Sequence, residues 1–477
     1  MSDARLSQAT HGARRPRGPR YKMSAARLSQ ATHGSRRPRG PRYKMTGVPL
    51  RVAATVVALA LAVAPVAAEP SVSRRVLENG LTVLVRENSA APVVAVSLQV
   101  RAGSRFETRE RAGLTNLLLR TMTRGAGKRS AVQLAEAAEE LGGSLEAAGE
   151  VETAELRGQA LARHWEELLG LVAEVALDPT LPAEEIERER RLVLSQIQTR
   201  ADTPFPLSFD SMLADLYAGH PYAWPSVGTR ESVERLGRPE LVAHHREVFR
   251  PERIVIAVSG QAPRERVVKV IESLFARLRH SGAAAAEPPA VAAPTGGRRV
   301  LERPAQQAQV LVGYLGPGLG DPDYPAVRVL GAVLGGGMAG RLFVELRDKR
   351  GLAYSLGALT AYRTGPAFLV AYLGTARQNA AAAEAAVLDE LERIRTTPVS
   401  VEELLRAKAY VVGRVALDRR TNARQAWYLA FFEAVGAGSD FPERYAKAIE
   451  AVTPAELSAV AQRYLVHPTI VVLTPPR

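Results

Sequence analysis

Residues suited to chemistry are sparse in this 477-residue chain, and their spacing excludes more than it offers. The eight histidines form no His-x-x-x-His pair and no His-x-His, so no two of them face one metal from a single helix or strand. His244-His245-Arg246-Glu247 comes nearest, while His164 and His220 stand alone. All four read as surface or supporting residues. There is no cysteine, hence no thiol nucleophile, thiolate metal site or disulfide. No Ser/His/Asp set or carboxylate pair has the spacing of a hydrolase centre. Gly335-Gly336-Gly337 lacks both the Gly-Lys-Ser/Thr ending and the Gly-x-Gly-x-x-Gly spacing of a phosphate loop. Arg347 and Tyr354 remain, seven residues apart. Both are hydrogen-bond donors, yet by spacing alone they read as a solvated helix residue and ordinary strand packing.

The elements that would position these residues follow from periodicity. Residues 113–125 read as an amphipathic helix with Leu114, Leu117, Leu118 and Leu119 on its apolar face and Gly125 as its stop. It follows an alternating strand at 92–100, and before that a hairpin signal at 75–86 turning at Asn79-Gly80. A helix at 130–141, a strand pair through 144–161, helices at 164–177 and 182–200, a breaker-rich loop at 219–229, a helix at 239–248 and a strand at 253–259 complete a first half. Residues 280–297 have the Ala/Pro/Gly composition of a linker. The second half repeats the plan in outline. It has a strand at 309–314, helices at 324–334 and 339–350 around the glycine run, a strand at 353–359, helices at 378–395 and 401–416, and a closing strand at 469–473. Residues 464–472 echo residues 248–256.

This frame resembles the M16 (insulinase-like, pitrilysin) metallopeptidases. There the helix matching 113–125 carries Gly-x-Ala-His-x-x-Glu-His, with two histidines binding zinc and the glutamate working on the metal-bound water. Here the two histidine positions are Asn116 and Arg120, and the glutamate position is Leu119. The family's third ligand, a glutamate on a later helix, falls on Gln196. Glu189 keeps an acid that in the family stands behind the metal ligands. Carboxamides are poor zinc ligands, arginine is a fixed cation, and leucine takes no proton. No zinc is therefore expected in this chain. The resemblance also matches Arg347 and Tyr354 to a pair that reaches the substrate at the metal and stabilises developing negative charge on the peptide carbonyl. It implies an α+β fold of two homologous α/β domains, 69–279 and 298–477, joined by the linker 280–297. The glycine run then borders a peptide channel, and 144–152 offers a sheet edge to an extended peptide.

Residues 4–23 and 26–45 are near-copies of one basic, Pro/Gly-rich text that cannot form a core. They read as upstream sequence, with translation from Met45, in preference to a nucleic-acid or membrane arm. Residues 45–68 have the basic start, apolar middle and small-residue end of a signal peptide. Export, to the periplasm in a Gram-negative cell, and no stable membrane anchor are expected. Residues 1–68 hold thirteen Lys/Arg and one acid, so about twelve of the fourteen net positive charges lie there. The remainder is near neutral, which removes the main argument for nucleic acid as a partner.

The expected function is a non-catalytic subunit that pairs with a zinc-bearing M16 paralogue, binds an extended peptide and donates Arg347 and Tyr354 in trans. The alternative is a scaffold of the same fold with no part in proteolysis.

Overall fold

The computed structural model describes residues 71–282 and 287–476, all within one compact unit, Pro65–Arg477. The duplicated arm and the expected signal segment lie outside the described residues. In chain order the first half comprises β1 (Val72–Val76), β2 (Thr82–Glu87), β3 (Val93–Val100), α1 (Leu114–Met122), the short pair β4 (Gly125–Ala126) and β5 (Arg129–Ser130), α2 (Ala131–Glu140), β6 (Ser144–Gly149), β7 (Ala154–Leu161), α3 (Trp165–Leu177), α4 (Ala183–Asp202), α5 (Pro204–Leu216), α6 (Arg230–Arg235), α7 (Arg238–Val248), β8 (Ile254–Gly260) and α8 (Arg264–Leu274). The second half comprises β9 (Gly297–Glu302), β10 (Ala308–Gly316), α9 (Tyr324–Gly335), a π-helical turn (Phe343–Lys349), β11 (Ser355–Thr360), β12 (Ala367–Thr375), α10 (Ala380–Thr396), α11 (Val401–Asp418), α12 (Asn422–Ala434), α13 (Phe441–Ala451), α14 (Pro454–Tyr464) and β13 (Thr469–Thr474).

Each half builds one mixed sheet. The first runs β1-β2-β8-β3-β7-β6 and the second β9-β13-β10-β12-β11. With β1 set aside, the two orders are the same plan. In each sheet one parallel pair, β2 with β8 or β13 with β9, sits among antiparallel neighbours. The fold is thus α+β with two domains of one design.

The two halves cover each other's sheets. On one face of the first sheet, Val94, Val96, Leu98 and Val100 join the core of their own half. On the opposite face, Leu84, Val255 and Ala257 pack against Ala426, Leu429, Ala430 and Ala434 of α12, from the second half. In return, Met212, Leu213, Leu216 and Tyr217, from α5 and its end, lie on Leu311, Leu315, Phe368, Val370 and Val471 of the second sheet. Gly313 makes room there, since a Cβ would sit 2.5 Å from the Met212 sulfur. Fully burying a side chain such as Leu84 or Val370 is worth roughly 1.5–3 kcal/mol, so each sheet draws substantial stability from the other half. Asn422 anchors the exchange. Its Oδ1 accepts from Asn88 Nδ2 at 2.8 Å and from Ser259 Oγ at 3.2 Å, and its Nδ2 donates to Val93 O at 3.3 Å.

The alternation in β3 marks Ser97 and Gln99 as a solvent face, but both are buried beneath this exchange. Ser97 Oγ donates to Glu155 Oε1 at 2.7 Å, and Gln99 Nε2 donates to Ser97 Oγ at 3.1 Å. Most of this polar face is satisfied internally, while Gln99 Oε1 has no partner among the described residues.

Candidate functional site

The helix α1 is set by the loop before it. Gly113 at its N-terminus has φ +88°, and a Cβ there would lie 2.7 Å from Val227 O, so this position accepts only glycine without displacement. Glu107 accepts from the backbone N–H of Gly113 at 2.8 Å and of Thr115 at 2.6 Å, supplying the cap that Gly113 lacks. Burial raises the Glu107 carboxyl above its ordinary range, against the lowering effect of those hydrogen bonds. Thr115 Oγ1 shares a hydrogen bond with His244 Nε2 at 3.0 Å. Burial, with Arg111 and Arg253 nearby, lowers the His244 pKa to about 3, so the ring is neutral at ordinary pH.

The other singled-out histidines also have structural duties. His220 Nδ1 accepts from Tyr222 N at 3.0 Å, His245 Nε2 contacts Ala176 O at 2.9 Å, and His164 lies 3.5 Å from Glu167.

The four matched zinc positions do not converge as ligands. Leu119 is fully buried in the core. Asn116 is half-buried and its Nδ2 has no hydrogen-bond partner among the described residues. Arg120 donates through Nε to Glu189 Oε2 at 2.8 Å. Arg124, one turn further along α1, donates to Glu189 Oε1 at 2.7 Å. Gln196 is exposed on α4. An amide nitrogen, an alkyl group and a guanidinium already bound to Glu189 do not fit a zinc ion. Among the described residues no three His, Asp or Glu side chains form a group that could hold a metal.

The strand beside this helix is a free edge. β6 pairs only with β7, from Ser144 opposite Gln159 to Gly149 opposite Ala154. At its end Gly149 presses on α1, where a Cβ would lie 2.8 Å from Asn116 N and Cα. Between α1, α2 and β6 runs a cavity of about 420 Å3 lined by Arg120, Arg124, Glu139 and Glu146. The unpaired strand and the orphaned carboxamide therefore lie side by side.

In the second half Arg347 and Tyr354 do meet. The Arg347 guanidinium carbon lies 4.8 Å from the centre of the Tyr354 ring and 4.5 Å from that of Phe343. Tyr354 is 78% exposed and immediately precedes β11, the edge of the second sheet. The helix expected at 339–350 is wound as a π-helix at Phe343–Lys349, a form often found at functional sites. Gly335 ends α9 against β11, where a Cβ would meet Ala358 N at 2.2 Å.

Residues 82–230 match the model of insulinase (peptidase family M16), and residues 235–411 match that of the peptidase M16 inactive domain. An uncharacterized zinc protease of Mycobacterium bovis is 30% identical over 396 residues, covering 82% of this chain and 90% of that protein. The chain belongs to peptidase family M16. The crystal structure of a peptidase M16 inactive domain from Pseudomonas fluorescens shares the fold, with a TM-score of 0.80, 24% identity and coverage of 85% of this chain and 99% of that one. So does a chain of complex III2 from Candida albicans, with a TM-score of 0.74, 19% identity and coverage of 85% and 96%.

Within this M16 chain the sequence reading missed Arg124, which doubles the hold on Glu189. Its signal was available, since Arg120 and Arg124 stand at i and i+4 on one helix face. It also assigned nothing to α5 or α12. Phe209, Met212, Leu213 and Leu216 have the i, i+3, i+4, i+7 spacing of a helix, as do Ala426, Leu429 and Ala430 for its first three positions.

Proposed function

We propose that this M16 chain is the non-catalytic subunit of a two-chain zinc peptidase, exported to the periplasm and paired with a zinc-bearing paralogue. One observation carries the reading: Glu189 is held by Arg120 and Arg124, while the half-buried Arg347 stacks on the exposed ring of Tyr354. The first half thus has a cation where the family frame has a metal ligand. The second half keeps two donors with no protein acceptor among the described residues.

In the paired enzyme the free edge of β6 receives an extended peptide, with backbone hydrogen bonds giving affinity and little sequence preference. The Asn116 carboxamide lies beside that edge and supplies one further donor to a peptide carbonyl. Arg347 and Tyr354 reach the partner's chamber and donate to the carbonyl oxygen as it gains charge. The partner supplies the metal and the water that attacks.

The purified chain, alone and mixed with a zinc-bearing M16 paralogue, tests this reading. Hydrolysis of a quenched peptide by the mixture only, abolished by a chelator, is expected. Chelator-sensitive hydrolysis by the isolated chain overturns it. The scaffold alternative is favoured by the likeness to a complex III chain, and predicts a stable assembly with no hydrolysis in any mixture.

A further inference from the structure

The second half holds a cavity that the peptide-binding reading leaves unused. It measures about 560 Å3 and lies between α9, the edge strand β11 and α11. In the shared sheet plan α9 follows β10 as α1 follows β3, and β11 occupies the place of β6. The cavity is therefore the second half's counterpart of the zinc positions, with different residues in it.

Arg328 lines its wall. Its Nε donates to Tyr445 Oη at 3.1 Å, Nη1 donates to Thr360 Oγ1, and the guanidinium carbon lies 5.0 Å from the centre of the Tyr362 ring. No carboxylate pairs with Arg328 among the described residues. Asp418, the one acid lining the cavity, is already paired with Arg424 and accepts from Tyr428 Oη at 3.0 Å. Arg414 and Arg420, both exposed, add positive charge to the lining. Arg328 is half-buried; a partly desolvated guanidinium without a counter-charge carries a cost that a bound anion removes. The remaining wall combines aliphatic side chains, such as Ala332 and Val411, with the rings of Tyr362, Tyr410 and Tyr428. That composition favours an anion on an apolar body over a bare phosphate.

We propose that this cavity binds a carboxylate carried on a small apolar body, held by the Arg328 guanidinium, the chemistry of a peptide's C-terminal residue or a short aliphatic acid. The planar fork of arginine suits a carboxylate, which can accept two parallel hydrogen bonds. The proposal stands independently of any role in proteolysis.

Calorimetric titration of the full chain tests it with three probes: acetyl-Ala-Ala-Leu as the free acid, the same peptide as its C-terminal amide, and 4-methylpentanoate. The free acid is expected to bind at least tenfold more tightly than the amide, with binding weakened by salt and lost in Arg328→Gln. If 4-methylpentanoate binds as tightly as the peptide acid, the source is a small acid, and the proposal holds in that form. Equal binding of acid and amide, no binding by either acid, or undiminished binding by a folded Arg328→Gln overturns it. Should Arg328→Gln fail to fold, the exposed pair Arg414→Gln and Arg420→Gln is expected to weaken the acid several-fold. Unchanged affinity in that variant overturns the proposal equally.

Discussion

Arg120 on α1 and Glu189 on α4 hold each other at 2.8 Å, and the ion pair ties the two helices together. The partners are unequally placed, since the Glu189 side chain is 1% exposed while those of Arg120 and Arg124 are 30% and 41% exposed.

That inequality predicts an asymmetric response to mutation. Glu189→Gln removes the buried charge and leaves two arginines that can hydrate, at a cost of about 1 kcal/mol. Arg120→Met combined with Arg124→Met leaves a buried carboxylate without a counter-charge, at a cost of about 3–5 kcal/mol. Urea unfolding of the two variants measures the difference.

The exchange of α5 and α12 predicts that the two halves unfold together. Ala430→Leu adds bulk beneath α12, where Ala430 is fully buried, and is expected to destabilise the protein by about 1–3 kcal/mol. Hydrogen exchange is expected to quicken in both sheets. Protection lost only in the first sheet would show that the halves are energetically separate.

His244 predicts a loss of stability in mild acid. Its folded pKa of about 3 lies below the ordinary 6.5, so the unfolded chain binds the proton first as pH falls. No penalty exists above pH 6.5, and the loss grows from there down to about pH 3. At pH 5 it amounts to about 2 kcal/mol. The buried Glu107 and Glu155 carboxyls are raised, so their contribution has the opposite sign, being lost as pH rises through their folded values. Thermal melts of His244→Gln and the unaltered chain between pH 7 and 5 isolate the histidine, whose removal is expected to flatten the slope.

Tyr354→Phe predicts a functional change without a structural one. The phenol is exposed, so melting should shift by less than about 0.5 kcal/mol equivalent. In a reconstituted peptidase the turnover number is expected to fall about 10²–10³-fold, the usual effect of removing a donor to a developing oxyanion. Arg347→Lys keeps the charge but loses the planar stack on Tyr354, and should fall in the same direction.

Much of this was legible in order along the chain. The helix α1 follows from Leu114, Leu117 and Leu118 and from Gly125, because a 3.6-residue period is a local property. The resemblance set Asn116, Leu119, Arg120 and Gln196 at the expected zinc positions because motif spacing is linear in sequence. The edge position of β6 was expected from the resemblance, although Gly149 and the acids in its text argued against it. The face of β3 bearing Ser97 and Gln99 was misleading, because alternation reports polarity and cannot say what covers it.

The sequence by itself therefore determined most of the elements and the two-fold plan, since each depends on neighbours within a few residues or on a repeated pattern. The tertiary structure alone decided that Glu189 is shared by Arg120 and Arg124, that α5 and α12 cross to the opposite sheets, and that Arg328 faces a cavity with no carboxylate partner among the described residues. Those relations join residues tens to hundreds of positions apart. They arise when apolar faces such as that of Met212 and Leu216 find the surface that buries them best, a choice made in space and not along the chain.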